Sequence, residues 1–89
     1  MTEIDLELTN RLGLHARAAS KLVQTASNFD ARIWLEYDGR KVNAKSIMGV
    51  LLLAAPVGSK LRLEAEGDDE QEAVTAIAKL VDERFGEQQ

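Results

Sequence analysis

Hydrophobic and polar positions alternate in three stretches of the chain. In residues 3–9, Ile4, Leu6 and Leu8 alternate with Glu3, Asp5 and Glu7, which predicts a strand with one buried face. In residues 32–37, Ile33, Leu35 and Tyr37 face one way and Arg32, Trp34 and Glu36 the other. In residues 60–65, Leu61, Leu63 and Ala65 point inward. Asp38-Gly39 is a two-residue hairpin signal, so Arg40–Asn43 is expected to return as a short strand beside the second. Two segments instead repeat at helical spacing. From Ala16 to about Ser27, Ala19, Leu22, Val23 and Ala26 form a stripe opposite Lys21, Gln24 and Thr25. In the last third, Val74, Ile77, Leu80, Val81 and Phe85 do the same, with Gly86 as the stop. Asp69 is expected to cap that helix, with Glu72 as the acid of a capping box. Ser46 reads as the N-cap of a short helix over Ile47–Leu53, broken by Pro56 and Gly58.

The resulting order, β-α-β-β-α-β-α, predicts an α+β fold. It is an open-faced two-layer sandwich, a four-stranded antiparallel sheet with three helices on one face. The other face should meet water, because Glu3, Asp5, Glu7, Arg32, Glu36, Arg62, Glu64 and Glu66 project there. Trp34 falls on that face and is expected to be partly covered by long neighbouring side chains. Alternation alone leaves the order of strands open, and a ferredoxin-like arrangement would share the element pattern.

Composition bounds the chemistry. With 89 residues, 45% of them apolar, the chain is expected to be one domain, 1–89, with a modest core. There are no cysteines, which removes disulfides and thiolate catalysis and fits a reducing compartment. No apolar run approaches a membrane span, and the acidic start is unlike a signal peptide, so a cytoplasmic protein without membrane insertion is expected. The net charge of -4 argues against general nucleic-acid binding. The charge is unevenly placed: residues 11–61 carry a balance of +5, and residues 62–89 one of -6. The basic middle suits either ordinary solvated charge or a face that docks an acidic partner or a phosphate.

Within that basic middle lies the only histidine of the chain, in Gly13-Leu14-His15-Ala16-Arg17-Ala18-Ala19-Ser20. His15 stands where a glycine-containing loop meets the first turn of the first helix. That turn carries backbone N–H groups without helical partners and the positive end of the helix dipole. Such a position holds an anion well. Gly13 permits a tight preceding turn, the alanines keep the rim low, and Arg17 offers a fork of donors suited to phosphate. With no second histidine and no cysteine, no metal site is expected. Ser20 lies on the helix with no strained nucleophile turn around it, which counts against a Ser-His-Asp hydrolase. Local chemistry leaves two readings: a plain exposed histidine at a helix start, or a phosphoryl-accepting one.

The segment Gly13–Ala19 (GLHARAA), together with Lys45-Ser46-Ile47-Met48-Gly49-Val50, resembles the HPr family of histidine-containing phosphocarriers of the bacterial phosphotransferase system. The similarity extends over essentially the whole chain. It implies a sheet of order 1-4-2-3. It implies that His15 accepts a phosphoryl group on Nδ1 from Enzyme I and passes it to a histidine of an acceptor (EIIA-type) domain, with Arg17 stabilising the phosphate. Ser46 resembles the regulatory serine phosphorylated by HPr kinase/phosphorylase. Ala16, Ser20, Lys21, Gln24, Ile47, Met48 and Leu51 match positions where family members meet partners. The resemblance implies a monomeric carrier that needs no cofactor, not a free-standing enzyme. One position departs: family members usually carry proline where this chain has Ala18. Alanine is an excellent helix former, so the helix is expected to survive with a slightly looser start. The residues leave two competing classes: a ferredoxin-like regulatory or interaction module, which would give no reason for a histidine at this place, and a small hydrolase, which would need a second catalytic group.

Overall fold

A computed structural model describes residues 1–88. Four strands form one antiparallel sheet: β1 (Thr2–Glu7), β2 (Arg32–Tyr37), β3 (Arg40–Asn43) and β4 (Lys60–Glu66). Helices α1 (Ala16–Ala26), α2 (Ile47–Leu52) and α3 (Glu70–Asp82) alternate with them, and a single turn, Arg84–Gly86, follows α3. The order across the sheet is β1-β4-β2-β3. This is the order the family resemblance implied and alternation left open. Ile4 lies opposite Leu63, Leu63 opposite Leu35, and Leu35 opposite Val42, so one row of apolar side chains crosses all four strands. That row faces Leu22, Val50, Ile77 and Val81 of the three helices, and together they form the core. The turn between β2 and β3 has positive φ at both Asp38 and Gly39, as a type I′ hairpin requires. Among the described residues, no helix is long and apolar enough to cross a membrane.

Four local expectations change. Leu8 is buried but lies beyond β1; its N–H and C=O bond to the Ser59 carbonyl and the Gly58 amide instead of continuing the ladder. Glu64 projects to the uncovered face of the sheet but is only 5% exposed, because Lys41 from β3 folds over it with Nζ 3.0 Å from its carboxylate. Trp34, opposite Glu64 and Asn43, is half-buried beside this pair, as expected. Asp69 occupies the N-cap position of α3, yet its side chain makes no capping bond. Its backbone is outside the β region that aims a capping carboxylate at its own helix. The carboxylate reaches across to the amides of Asp30 and Ala31, both at 2.8 Å, and supplies acceptors where α1 gives way to β2. The capping box also shifts by two positions: Glu70, not Glu72, accepts from a backbone amide behind it, that of Gly67.

These bonds hold the Asp69 carboxyl below its ordinary value of 3.8. The bond from the Asp30 amide is the main cause, opposed by desolvation and helped by the Ala31 amide. Stability from this tether is present above the ordinary value and lost as pH falls through the lower folded one. Asp69→Asn is therefore expected to lower the urea midpoint at pH 7 and to flatten its fall below about pH 4, where protonation otherwise removes the same contact. Parallel midpoint-against-pH curves for the two proteins would contradict this.

Candidate functional site

The loop that leads into α1 is pinned at both ends. Gly13 has φ +63, and a Cβ there would come within 2.6 Å of the Ala55 carbonyl oxygen, so only glycine fits. Leu14 is buried and donates its N–H to that same carbonyl at 2.9 Å. Asn10, fully buried, donates from Nδ2 to the Gly13 carbonyl at 2.7 Å. This brace delivers His15 to the N-cap of α1 with an extended backbone (φ -78, ψ 179), and its carbonyl accepts the first helical bond, from Ala19 at 2.8 Å. Its imidazole makes no capping bond and is free for other work.

The ring is 27% exposed and borders an open depression of about 790 Å³, shared with Arg11, Leu12, Ala16, Arg17 and Glu87. Ala16 and Arg17 are exposed on the first turn of α1, and among the described residues Arg17 has no ion-pair partner. Ala18, where the resemblance implied proline, is buried in that first turn, and the helix begins regularly at Ala16. A guanidinium, unpaired helical N–H groups and an imidazole thus share one concave patch. This arrangement can receive an anion carried on the ring.

Sequence reasoning missed Glu87. After α3 ends at Asp82, Arg84, Phe85 and Gly86 all adopt left-handed backbone, with φ of 57, 56 and 81. Phe85, expected on the helical stripe, therefore leaves the helix and inserts into the core, only 1% exposed. Lys21 of α1 holds the turn by donating from Nζ to the Phe85 carbonyl at 2.6 Å. The chain then runs back over the start of α1. There Glu87 places one carboxylate oxygen on His15 Nε2 and receives Asn10 Nδ2 on the other at 3.0 Å. His15 Nδ1 has no hydrogen-bond partner among the described residues. Burial pushes the Glu87 carboxyl up. The hydrogen bonds from His15 and Asn10 and the charges of His15 and Lys21 outweigh it, so its pKa lies below the ordinary 4.5. No local pattern announces this contact, which joins residues 72 apart in the chain. Asn10, by contrast, sits in Asn-Arg-Leu-Gly, an ordinary turn signal that could have marked it.

The remaining expected residues lie on α1 and at and along α2, outside the lining of the depression. Ser20 is half-buried and accepts from Gln24 Nε2 at 3.2 Å, and Gln24 is exposed. On α2, Ser46 is the N-cap, its Oγ accepting from the Gly49 amide at 3.1 Å, as expected. Val50 turns inward and Leu51 is half-buried, while Ile47, Met48 and Leu52 are exposed, Met48 by 66%. Leu12, beside the His15 depression, is exposed as well. Within the basic middle segment, Lys21, Arg40 and Lys45 donate to the carbonyls of Phe85, Leu52 and Phe29 and keep their charge, while Lys41 pairs with Glu64.

Residues 2–83 match the family model described as the PTS HPr component phosphorylation site. The chain belongs to the HPr phosphocarrier family. It is 52% identical to the phosphocarrier protein HPr of Cupriavidus necator over 87 residues, 98% of both chains. Among solved structures, the HPr-C-His protein of Thermoanaerobacter tengcongensis superposes with a TM-score of 0.97 at 50% identity, each chain covered in full. A dimer of HPr from the same organism matches with a TM-score of 0.79 at 52% identity, covering 98% of this chain and 100% of that one. The HPr fold is therefore shared throughout, and His15 lies inside the matched segment.

Proposed function

We propose that this HPr-family chain accepts a phosphoryl group on His15 from phosphorylated Enzyme I and passes it to the histidine of an EIIA-type domain. The observation that carries the reading is the place of the single imidazole: at the N-cap of α1, in an open depression, beside an exposed arginine. The helix N-terminus and Arg17 receive the phosphate oxygens. Exposed Ile47, Met48 and Leu52 on α2 and Leu12 beside the depression offer apolar contacts to a partner, together with Ala16, Ser20, Lys21, Gln24 and Leu51. The protein acts in the cytoplasm as a monomeric carrier, with sugar uptake as the process it serves. Incubation with phosphoenolpyruvate and Enzyme I, followed by intact-mass spectrometry, tests this: one added phosphoryl group is expected. No mass shift with active Enzyme I would refute it.

Arg17 serves transfer and not folding. Because it is exposed on the first turn, Arg17→Ala should change stability by no more than about 0.5 kcal/mol. Loss of its charge-assisted contacts to the moving phosphoryl group should slow transfer by roughly ten- to a thousandfold. Equal transfer rates would remove Arg17 from the site.

Ser46 is the site of regulatory phosphorylation by HPr kinase/phosphorylase. Its hydroxyl already lies among first-turn amides, so a phosphate there should leave the fold intact. The added charge, roughly -1.5 to -2, falls beside Ile47 and Met48 and repels a partner that is acidic there. Ser46→Asp is expected to fold normally and to accept phosphate more slowly, chiefly through a raised KM, with salt narrowing the difference. Superimposable curves of rate against protein concentration, at low and high salt, would leave Ser46 as a helix cap only.

A further inference from the structure

The contact between Glu87 and His15 engages one ring nitrogen and leaves the other. We propose that Glu87, held by Asn10, is a positioning residue for phosphoryl acceptance: its carboxylate keeps the proton on Nε2, presents Nδ1 as the attacking nitrogen, and balances the charge the ring gains. The role rests on the phosphocarrier reading of His15.

The geometry is over-determined for a tail that merely covers surface. A carboxylate can only accept, so a neutral imidazole facing it through Nε2 carries its proton there. The second carboxylate oxygen is taken by Asn10 Nδ2. That same amide nitrogen also donates to the Gly13 carbonyl, so one fully buried side chain aligns both the loop before His15 and the group behind its ring. The tail is anchored upstream by Phe85 in the core and by Lys21 on its carbonyl. The groups facing the ring and its carboxylate are thus Glu87 and Asn10 on the Nε2 side, Lys21 behind the tail, and Arg11 and Arg17 around the depression.

The step balances without a proton leaving the attacking atom. The Nδ1 lone pair forms the N–P bond, and the bond between phosphorus and the donor breaks, its electron pair staying with the donor. The ring then carries the phosphoryl group on Nδ1 and the original proton on Nε2, one unit more positive than before. Glu87 already faces that nitrogen, so the developing charge meets a fixed counter-charge.

Nitrogen-15 NMR of the His15 ring reads the first half of the proposal before any donor is added. In the unsubstituted protein the neutral ring should show a protonated Nε2 and an unprotonated Nδ1. In Glu87→Ala the Nε2 proton should lose its protection from solvent exchange. Enzyme I assays read the second half. Glu87→Gln should accept phosphate about ten- to a hundredfold more slowly through kcat, with KM unchanged, because the docking residues are untouched. Glu87→Asp should recover part of the loss. A neutral ring protonated on Nδ1, or wild-type kcat in Glu87→Gln, would overturn the positioning role while leaving the carrier reading intact. No acceptance by the unsubstituted protein, with the ring spectrum as expected, would instead strike the carrier reading, and the role with it.

Discussion

A His15→Ala variant incubated with phosphoenolpyruvate and Enzyme I is expected to take up no phosphate at all. The chain has no other imidazole, so no second side chain can form a phosphoramidate of the same kind. The adduct on the unsubstituted protein should be lost in acid and stable in base, which separates it from a phosphoserine on Ser46 and from an acyl phosphate on Glu87. The substitution leaves the fold nearly untouched. His15 caps α1 through its backbone and not its ring, and the ring is partly exposed, so the stability change should stay within roughly 1 kcal/mol. Loss of uptake is then loss of the acceptor, not of the protein. Base-stable label persisting on the folded variant would show a different acceptor and end the proposed function.

Phe85→Ala should produce the largest change in stability. The ring is fully buried where the turn after α3 meets the core. Removing it costs both its transfer free energy and the cavity left behind, typically about 3–5 kcal/mol. For a domain whose total stability is of the order of 5–15 kcal/mol, that is a large fraction. The local backbone adds to the effect. Arg84 and Phe85 hold left-handed conformations that non-glycine residues adopt reluctantly, and burial of the Phe85 ring with the Lys21 bond to its carbonyl offsets part of that cost. Without the ring the turn has little reason to persist, and Glu87 should leave His15 even in molecules that remain folded. Urea unfolding measures the first effect and the protection of the His15 Nε2 proton the second. A loss below about 1 kcal/mol would mean that the Phe85 side chain does not anchor the turn.

Element order, the Asp38-Gly39 hairpin, the Ser46 cap and the position of His15 at the start of α1 were all legible in the sequence. Each depends on chemistry within a few residues: the two-residue period of a half-buried strand, the 3.6-residue period of a helix, positive φ in a tight turn, an oxygen three residues ahead of an unpaired amide. The apolar pattern of α2 also limited how many of its side chains could turn inward, and Ile47, Met48 and Leu52 are the ones left outside. The order of the strands was different in kind. Alternation says which face of a strand is buried but not which strand lies beside it, and only the resemblance to a known family supplied that order. Tertiary structure alone decided the rest. Asp69 leaves its own helix because two amides 38 and 39 residues away come within reach of its carboxylate. Glu64 is buried because β3 folds Lys41 over it. Glu87 meets His15 because the core accepts Phe85 only after the chain has turned left-handed out of α3. Local periodicity carries no information about such encounters, since each is chosen by how distant segments pack, and the carboxylate that touches the imidazole was therefore invisible until the chain was folded.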